Sequence, residues 1–377
     1  MKSPLTDILS PTPAPTISLN SAELSTCVTL AQQHGLEMLL YSRLKKHYSG
    51  SNNYIDDYLN HNENRFLKNV NISMGQEAIE KEVVALLGKR GIPACVIKGN
   101  EIARTLYGDP NCRSSSDIDI LIKRADIVNA DSIFIGNGYR RTDLLPLLFW
   151  TGRLHHAQYQ HSIHPFLIEV HWDFGVPFLF DINSDDIWKS VKRNNSGAYV
   201  LSPEMTIMML FIHHFRHDFR EFKILVDIHW GLYKYDGIID WQEFAGRLKK
   251  VGLIKSARII LAQLDSLWRL KDGPLKSFRI LQGQLTHEPA NIAPFLLKFF
   301  RMNISKDVQL FSAGDILMAR FVLDTWSKIL YSFTKSFFPR PQEIKELYPA
   351  SRNFMLPINY LRFIFWRVRV WTGFAKQ

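Results

Sequence analysis

Apolar and polar residues follow two different rhythms along this chain. From Ser21 to about Lys89 the apolar positions recur every three or four residues, which is the spacing of one helix face. In the long run from Glu63 to Lys89 they include Phe66, Val70, Met74, Ile79, Val83, Leu86 and Leu87, and Gly91 and Pro93 close the run. An earlier helix is expected from a cap at Ser21 to about Gly35, and the stretch LEMLLYSRLKK follows it. The rhythm changes at Ile92. IPACVI (92–97) reads as a buried strand, and Gly99 breaks it ahead of a short helix over 100–106. DIDILI (117–122) alternates acidic and apolar residues, as a strand with two unlike faces does. Residues 124–136 read as a helix closed by GNGY, and two more strands are expected at 155–161 and 166–172.

After Ser202 the helical period returns. Ser202 is a cap, Pro203 takes the first helical position and Glu204 the first turn. Further helices are expected over 222–234, 240–251 and 254–270. Residues 1–20 hold four prolines among small polar residues and read as a flexible leader. The pattern therefore predicts an α+β protein. A small mixed-sheet core over 91–200 is flanked by an N-terminal helical region (21–90) and a C-terminal helical domain (201–377) with a basic aromatic tail.

Composition narrows the partners. Hydrophobic residues make up 46% of the 377, enough for a sizeable core. Lys and Arg number 46 against 36 Asp and Glu, a formal charge of +10 that favours an anionic partner or simply gives a basic surface. Cys27, Cys95 and Cys112 have no ligand-like spacing, which argues against a disulfide framework and against a zinc site. The first residues lack the apolar stretch of a signal peptide, and nowhere do eighteen apolar residues run unbroken. A cytoplasmic location is expected.

The chemistry gathers around SSSDIDILI. Residues two apart on a strand share a face, so Asp117 and Asp119 lie side by side while Ile118 and Ile120 point into the core. Two neighbouring acids repel each other unless a cation lies between them. Hard divalent cations pair carboxylates with substrate phosphates. Upstream, Lys98-Gly99-Asn100 forms a strand-to-helix turn whose backbone N–H groups suit a phosphate. Downstream, LIEVHW offers a third acid, Glu169, on another strand. Three acids on adjacent strands can hold two metal ions, Mg²⁺ or Mn²⁺.

The run from Leu86 through GIPACVIKGN and SSSDIDILI to GNGY resembles the uncharacterised nucleotidyltransferases of the DNA polymerase β-like superfamily. IEVHW (168–172) resembles their later strand. His213, His217, Lys223 and Val226-Asp227-Ile228 resemble their helical segment. The likeness covers roughly residues 30–270. It departs from the wider superfamily at the turn, where glycine is usually followed by glycine or serine rather than by Asn100.

The resemblance implies transfer of a nucleotidyl group from an NTP to an acceptor, a small molecule or peptide rather than RNA. Asp117, Asp119 and Glu169 would hold the metal, and Glu169 would take the acceptor's proton. Other transfers from a nucleotide donor, of a phosphoryl or sugar group, and a non-catalytic nucleotide- or RNA-binding regulator are the alternatives. Lys98 either meets a phosphate or is a solvated strand-end lysine. Arg113 either forks onto a phosphate or pairs with a structural carboxylate. Ser115 and Ser116 line the nucleotide or make turn hydrogen bonds. His213 and His217, one helical turn apart, border the cleft with Lys223 and Asp227 or serve packing. His155, His156, His161 and His164 form a polar strand face, one of them bordering the site. The tail NYLRFIFWRVRVWTGFAKQ, with Arg362, Arg367 and Arg369, either packs on the helical domain or meets a membrane or a partner.

Overall fold

The sheet is built from short strands whose pairing sets everything near the acids. The structure, a computed structural model, describes residues 4–142, 155–175, 179–194, 197–287, 322–337, 341, 344–345, 348 and 355–371. The strands are β1 (Cys95–Val96), β2 (Asp117–Leu121), β3 (Tyr139–Arg141), β4 (His156–His161), β5 (Leu167–His171), β6 (Lys192–Arg193) and β7 (Tyr199–Val200). They form one mixed sheet in the order β3-β4-β5-β2-β1-β7-β6. The central pair, β2 and β5, is parallel, with Asp117 opposite Leu167 and Asp119 opposite Glu169. β4 runs antiparallel to β5, with Gln158 opposite Glu169 and His156 opposite His171.

The alternation of side chains gives this sheet two different faces. Ile118, Ile120, Ala157, Tyr159, Ile168 and Val170 share one of them. It packs on Val83 and Leu87 of the long helix Asn53–Gly88 and on Ile127, Ala130 and Phe134 of the helix Ile127–Gly136. Burying such a set of branched side chains is the main favourable term for this half of the molecule. On the other face Cys95, Ile97 and Leu121 join a larger core made with the helices Pro203–Arg216, Phe222–Lys234, Trp241–Val251, Ile254–Trp268 and Lys276–Thr286. Ser202 caps the first of these, its Oγ accepting a hydrogen bond from the N–H of Met205 at 3.3 Å.

Several elements differ from the sequence reading. Residues 4–19 are not a free leader. Pro4–Ile8 is a short helix, and Leu5, Ile8, Leu9 and Leu19 are buried in the larger core. Trp268 Nε1 donates to the carbonyl of Thr6 and Trp230 Nε1 to that of Leu9, each at 2.8 Å, while Arg43 donates to the carbonyls of Ile8 and Ser10. Prolines set the turns of this segment, and its spaced leucines and isoleucine do the packing. The first cap is Asn20 rather than Ser21, in a reciprocal capping box with Glu23. The long helix starts ten residues earlier than its apolar stripe suggests, at Asn53. The short helix after Gly99 is α-helical only over Asn100–Ile102 and widens to a π-helical turn over Ala103–Tyr107. β3, β6, β7 and the helix Ser184–Ser190 were not anticipated.

Toward the C-terminus the helices Trp326–Phe337 and Leu356–Trp371 pack against each other. The tail is thus helical at least to Trp371. Phe363 and Asn359 are buried, whereas Ile358, Leu361 and Phe365 are exposed. The side chains of Arg367 and Arg369 lie outside the described residues. Among the described residues no helix is long and apolar enough to cross a membrane.

Candidate functional site

The face of the sheet that carries the acids is polar only at its centre. Asp117 and Asp119 project from β2 and Glu169 from β5, and the register brings Asp119 and Glu169 directly opposite each other. His171 follows two residues after Glu169 and so shares its face. Its Nε2 lies 2.7 Å from Asp119 Oδ1 and 3.3 Å from Glu169 Oε2. From β4, Gln158 Nε2 donates to Glu169 Oε1 at 2.8 Å, and His156 Nε2 stands 3.7 Å from the same oxygen. Lys98, at the end of β1, forms a buried ion pair with Asp119 Oδ1.

The three acids differ in their surroundings. Burial alone would raise the pKa of Asp119, but the Lys98 ammonium and the His171 hydrogen bond outweigh it and hold the carboxyl far below its usual range. Glu169 is likewise held at about 2, because His171 and His156 outweigh its burial. Asp117 goes the other way. Burial, then the charge of Asp119, raises its pKa, and Lys98 offsets this only in part. Ser115 Oγ donates to Asp117 Oδ1 at 2.9 Å, while Oδ2 makes no hydrogen bond among the described residues.

The turn before β2 explains why glycine stands at position 99. Gly99 has φ 54° and ψ −124°, a conformation that side chains disfavour, and an added Cβ there would lie 3.6 Å from the Ser115 side chain. Ser115 is half-buried beside Asp117, and Ser116 is exposed. Asn100 is drawn away from this turn. Its amide nitrogen donates to the Ser73 carbonyl and to Glu80 Oε1, and its Oδ1 accepts from Ser73 Oγ at 3.0 Å. The Asn100 side chain therefore ties the turn to the long helix and does not face a phosphate. Arg113 is also committed elsewhere. Its Nε donates to both carboxylate oxygens of Asp227, at 3.2 and 3.0 Å, and both residues are buried. Tyr107 completes this group, its hydroxyl donating to Asp227 Oδ1 at 2.5 Å. Of the two readings of Arg113, the structural carboxylate pair is the one present.

A second wall comes from the helical part. His213 and His217 meet edge to face, 4.6 Å between ring centroids, at the C-terminal end of the helix Pro203–Arg216. Burial lowers both pKa values, to about 4 for His217, and the charges of Lys98 and Arg216 add to this. Lys223, at the start of the next helix, approaches the Ser114 carbonyl at 3.5 Å. Burial and Arg113 lower its pKa against the pull of Asp227, Glu221 and Asp117. Arg216 ends the helix that carries His213, near enough to Glu169 and Asp119 to sense their charges. Burial lowers its pKa, and the charges of Glu169 and Asp119 oppose that. It makes no hydrogen bond or ion pair among the described residues. Thus Lys98, Asp117, Asp119, Glu169, His213, His217 and Lys223 come together, joined by His156, one of the four histidines the sequence places on a polar strand face, by His171 of the IEVHW strand, and by Arg216 and Gln158, which the sequence reading did not single out.

This donor set fits a divalent cation. One ligand atom each from Asp119, Glu169 and His171 lie within 4.8 Å of one another, and Asp117 stands on the same face. Carboxylate oxygens suit Mg²⁺ or Mn²⁺, and an added imidazole nitrogen is tolerated better by Mn²⁺. A family model described as an uncharacterised nucleotidyltransferase matches residues 20–269. No curated protein and no solved structure matches the chain.

Proposed function

Because this chain belongs to the uncharacterised nucleotidyltransferase family, we propose that it transfers a nucleotidyl group from an NTP to a hydroxyl or phosphate of a small molecule or peptide. The observation that carries this reading is the parallel register that sets Asp119 opposite Glu169 with Asp117 on the same face. A divalent cation such as Mg²⁺ or Mn²⁺, if held there, would supply positive charge to offset that of the substrate phosphates. Asp117, Asp119 and Glu169 would hold that cation. Gly99 lets the backbone of the turn approach a phosphate, with Ser115 and Ser116 at its rim. Lys98 offsets the charge of Asp119 and stands ready to meet a phosphate oxygen.

Proton acceptance falls to Asp117 rather than to Glu169. Both oxygens of Glu169 face partners, Gln158 on one side and His171 on the other. Asp117 keeps Oδ2 open, and it is the one acid of the three whose pKa is raised. The acceptor's proton therefore has a basic oxygen to go to as its oxygen attacks the α-phosphate. Arg216, Lys223 and His217 form the facing wall, where the rest of the triphosphate would lie.

The test is pyrophosphate release from each of the four common NTPs with Mg²⁺ or Mn²⁺ and pooled small-molecule or peptide acceptors. Acceptor-dependent pyrophosphate with a nucleotidylated product is expected. Release of nucleoside diphosphate instead would point to phosphoryl or sugar transfer, and binding without turnover to a regulator.

Arg216 gives a separate prediction. A charged hydrogen bond contributes about 1.5–3 kcal/mol, roughly ten- to a hundredfold in affinity. Since Arg216 has no partner within the described fold, Arg216→Ala should weaken NTP binding by about that factor in calorimetry and change the melting temperature little. Unchanged affinity would remove Arg216 from the binding wall.

A further inference from the structure

We propose that His155, His156 and His171 form a second, nitrogen-rich cation site that takes a transition-metal ion of the Zn²⁺ or Co²⁺ class rather than Mg²⁺. The inference does not rest on nucleotidyl transfer. It rests on three imidazoles brought together by strand pairing. β4 places His156 opposite His171, and the N–H of Trp172 donates to the carbonyl of His155 at 2.9 Å, which fixes His155 beside them. The ring centroids are 4.4, 5.1 and 5.6 Å apart. One nitrogen from each ring lies within 4.8 Å of the other two.

The orientation of the rings is that of ligands. A metal-bound histidine usually directs its other nitrogen to a carboxylate, which fixes the ring and raises its basicity. His171 turns Nε2 to Asp119 at 2.7 Å, and His156 turns Nε2 toward Glu169 at 3.7 Å. The nitrogens they can offer to an ion are then the two Nδ1 atoms. His156 Nδ1 already faces His155 Nε2 at 2.8 Å, so a separation of about 0.5 Å would bring the two to the roughly 3.3 Å kept by neighbouring nitrogens around a tetrahedral ion. Without an ion this contact can hold a single proton, and His155 Nδ1 is buried with no hydrogen-bond partner. Imidazole nitrogens suit Zn²⁺ and Co²⁺, whereas Mg²⁺ prefers oxygen. Asp117, which the proposed transfer requires, has no part in this site.

The test uses the full chain, stripped with a chelator and titrated with Co²⁺ or Cu²⁺. Co²⁺ should give the intense visible bands of a four- or five-coordinate ion, and pulsed EPR of Cu²⁺ should show coupling to imidazole nitrogens. His155→Gln and His156→Gln should each weaken Co²⁺ binding about tenfold or more. Asp117→Asn should bind Co²⁺ as the wild type does. A weak octahedral spectrum without nitrogen coupling in the wild type would overturn the proposal, as would both histidine variants binding like the wild type. The wild-type spectrum decides the matter even if a variant fails to fold. Retained Co²⁺ binding in a protein that turns over no NTP would count against the proposed transfer alone.

Discussion

Asp117→Asn is expected to lower NTP turnover roughly a thousandfold or more, while leaving the metal-free protein as stable as before or slightly more so. The rate loss follows from removing one charge from the cation-binding set and the open basic oxygen at once. The stability effect has the opposite cause. Burial and the charge of Asp119 raise the pKa of Asp117 in the folded state. Such a group binds more protons folded than unfolded over the window between its two pKa values, so stability falls as pH rises through that window. Above that window the ionised Asp117 is a cost, and the neutral, same-shaped asparagine removes it. Asparagine also retains an Oδ1 to accept from Ser115 Oγ. Turnover assays and thermal melts of the same preparations test both halves, and full activity would sink the assignment of Asp117.

Asp119 should behave differently although it stands two residues away. It is paired with Lys98 and His171 in a buried setting. Asp119→Ala leaves the Lys98 ammonium buried without its partner, a change that costs about 3–5 kcal/mol. Activity and stability should fall together. The sequence alone predicts the same outcome for both acids, because it shows two like charges and not the lysine that neutralises one of them.

The largest loss of stability without direct damage to the acids is expected from Asp227→Ala. It strips the partner from Arg113 and from the Tyr107 hydroxyl deep in the junction between sheet and helices. Leaving a buried guanidinium uncompensated costs about 3–5 kcal/mol. Urea unfolding should show a lower midpoint with an unchanged slope. Replacing both partners by apolar residues, Arg113→Met with Asp227→Leu, should recover most of the loss, since the desolvation cost of both charges disappears with their attraction. A loss under about 1 kcal/mol for Asp227→Ala would show that Arg113 finds another partner and that the pair is not what holds this junction.

Much of the sheet was legible because its strands alternate cleanly. DIDILI and LIEVHW announce which residues face the core, and that parity alone puts Asp117, Asp119 and Glu169 on polar faces. Their register is another matter. Nothing local states that Asp119 lies opposite Glu169, or that β4 brings His156 and Gln158 beside them, because pairing across strands is a long-range choice. Arg113 shows the same limit, since its partner Asp227 is 114 residues away. Arg216 was hidden for a further reason. At the end of an amphipathic helix an arginine reads as an ordinary C-terminal charge. The two-residue strands β6 and β7 carry too little pattern to detect. The prolines of residues 4–19 masked a small apolar stripe.

That stripe bears on how the protein is made. Leu5, Ile8 and Leu9 leave the ribosome well ahead of the side chains that bind their backbone, Trp230 and Trp268, which emerge more than two hundred residues later. At about 5–20 residues per second, the N-terminal strap must wait on the order of ten seconds or more for its seat. During that interval its apolar residues are exposed on the nascent chain, and the helical core closes only when the last of its helices is complete. Completion of the last of these helices, rather than stepwise assembly along the chain, is therefore the moment at which this fold becomes protected from proteases and from aggregation.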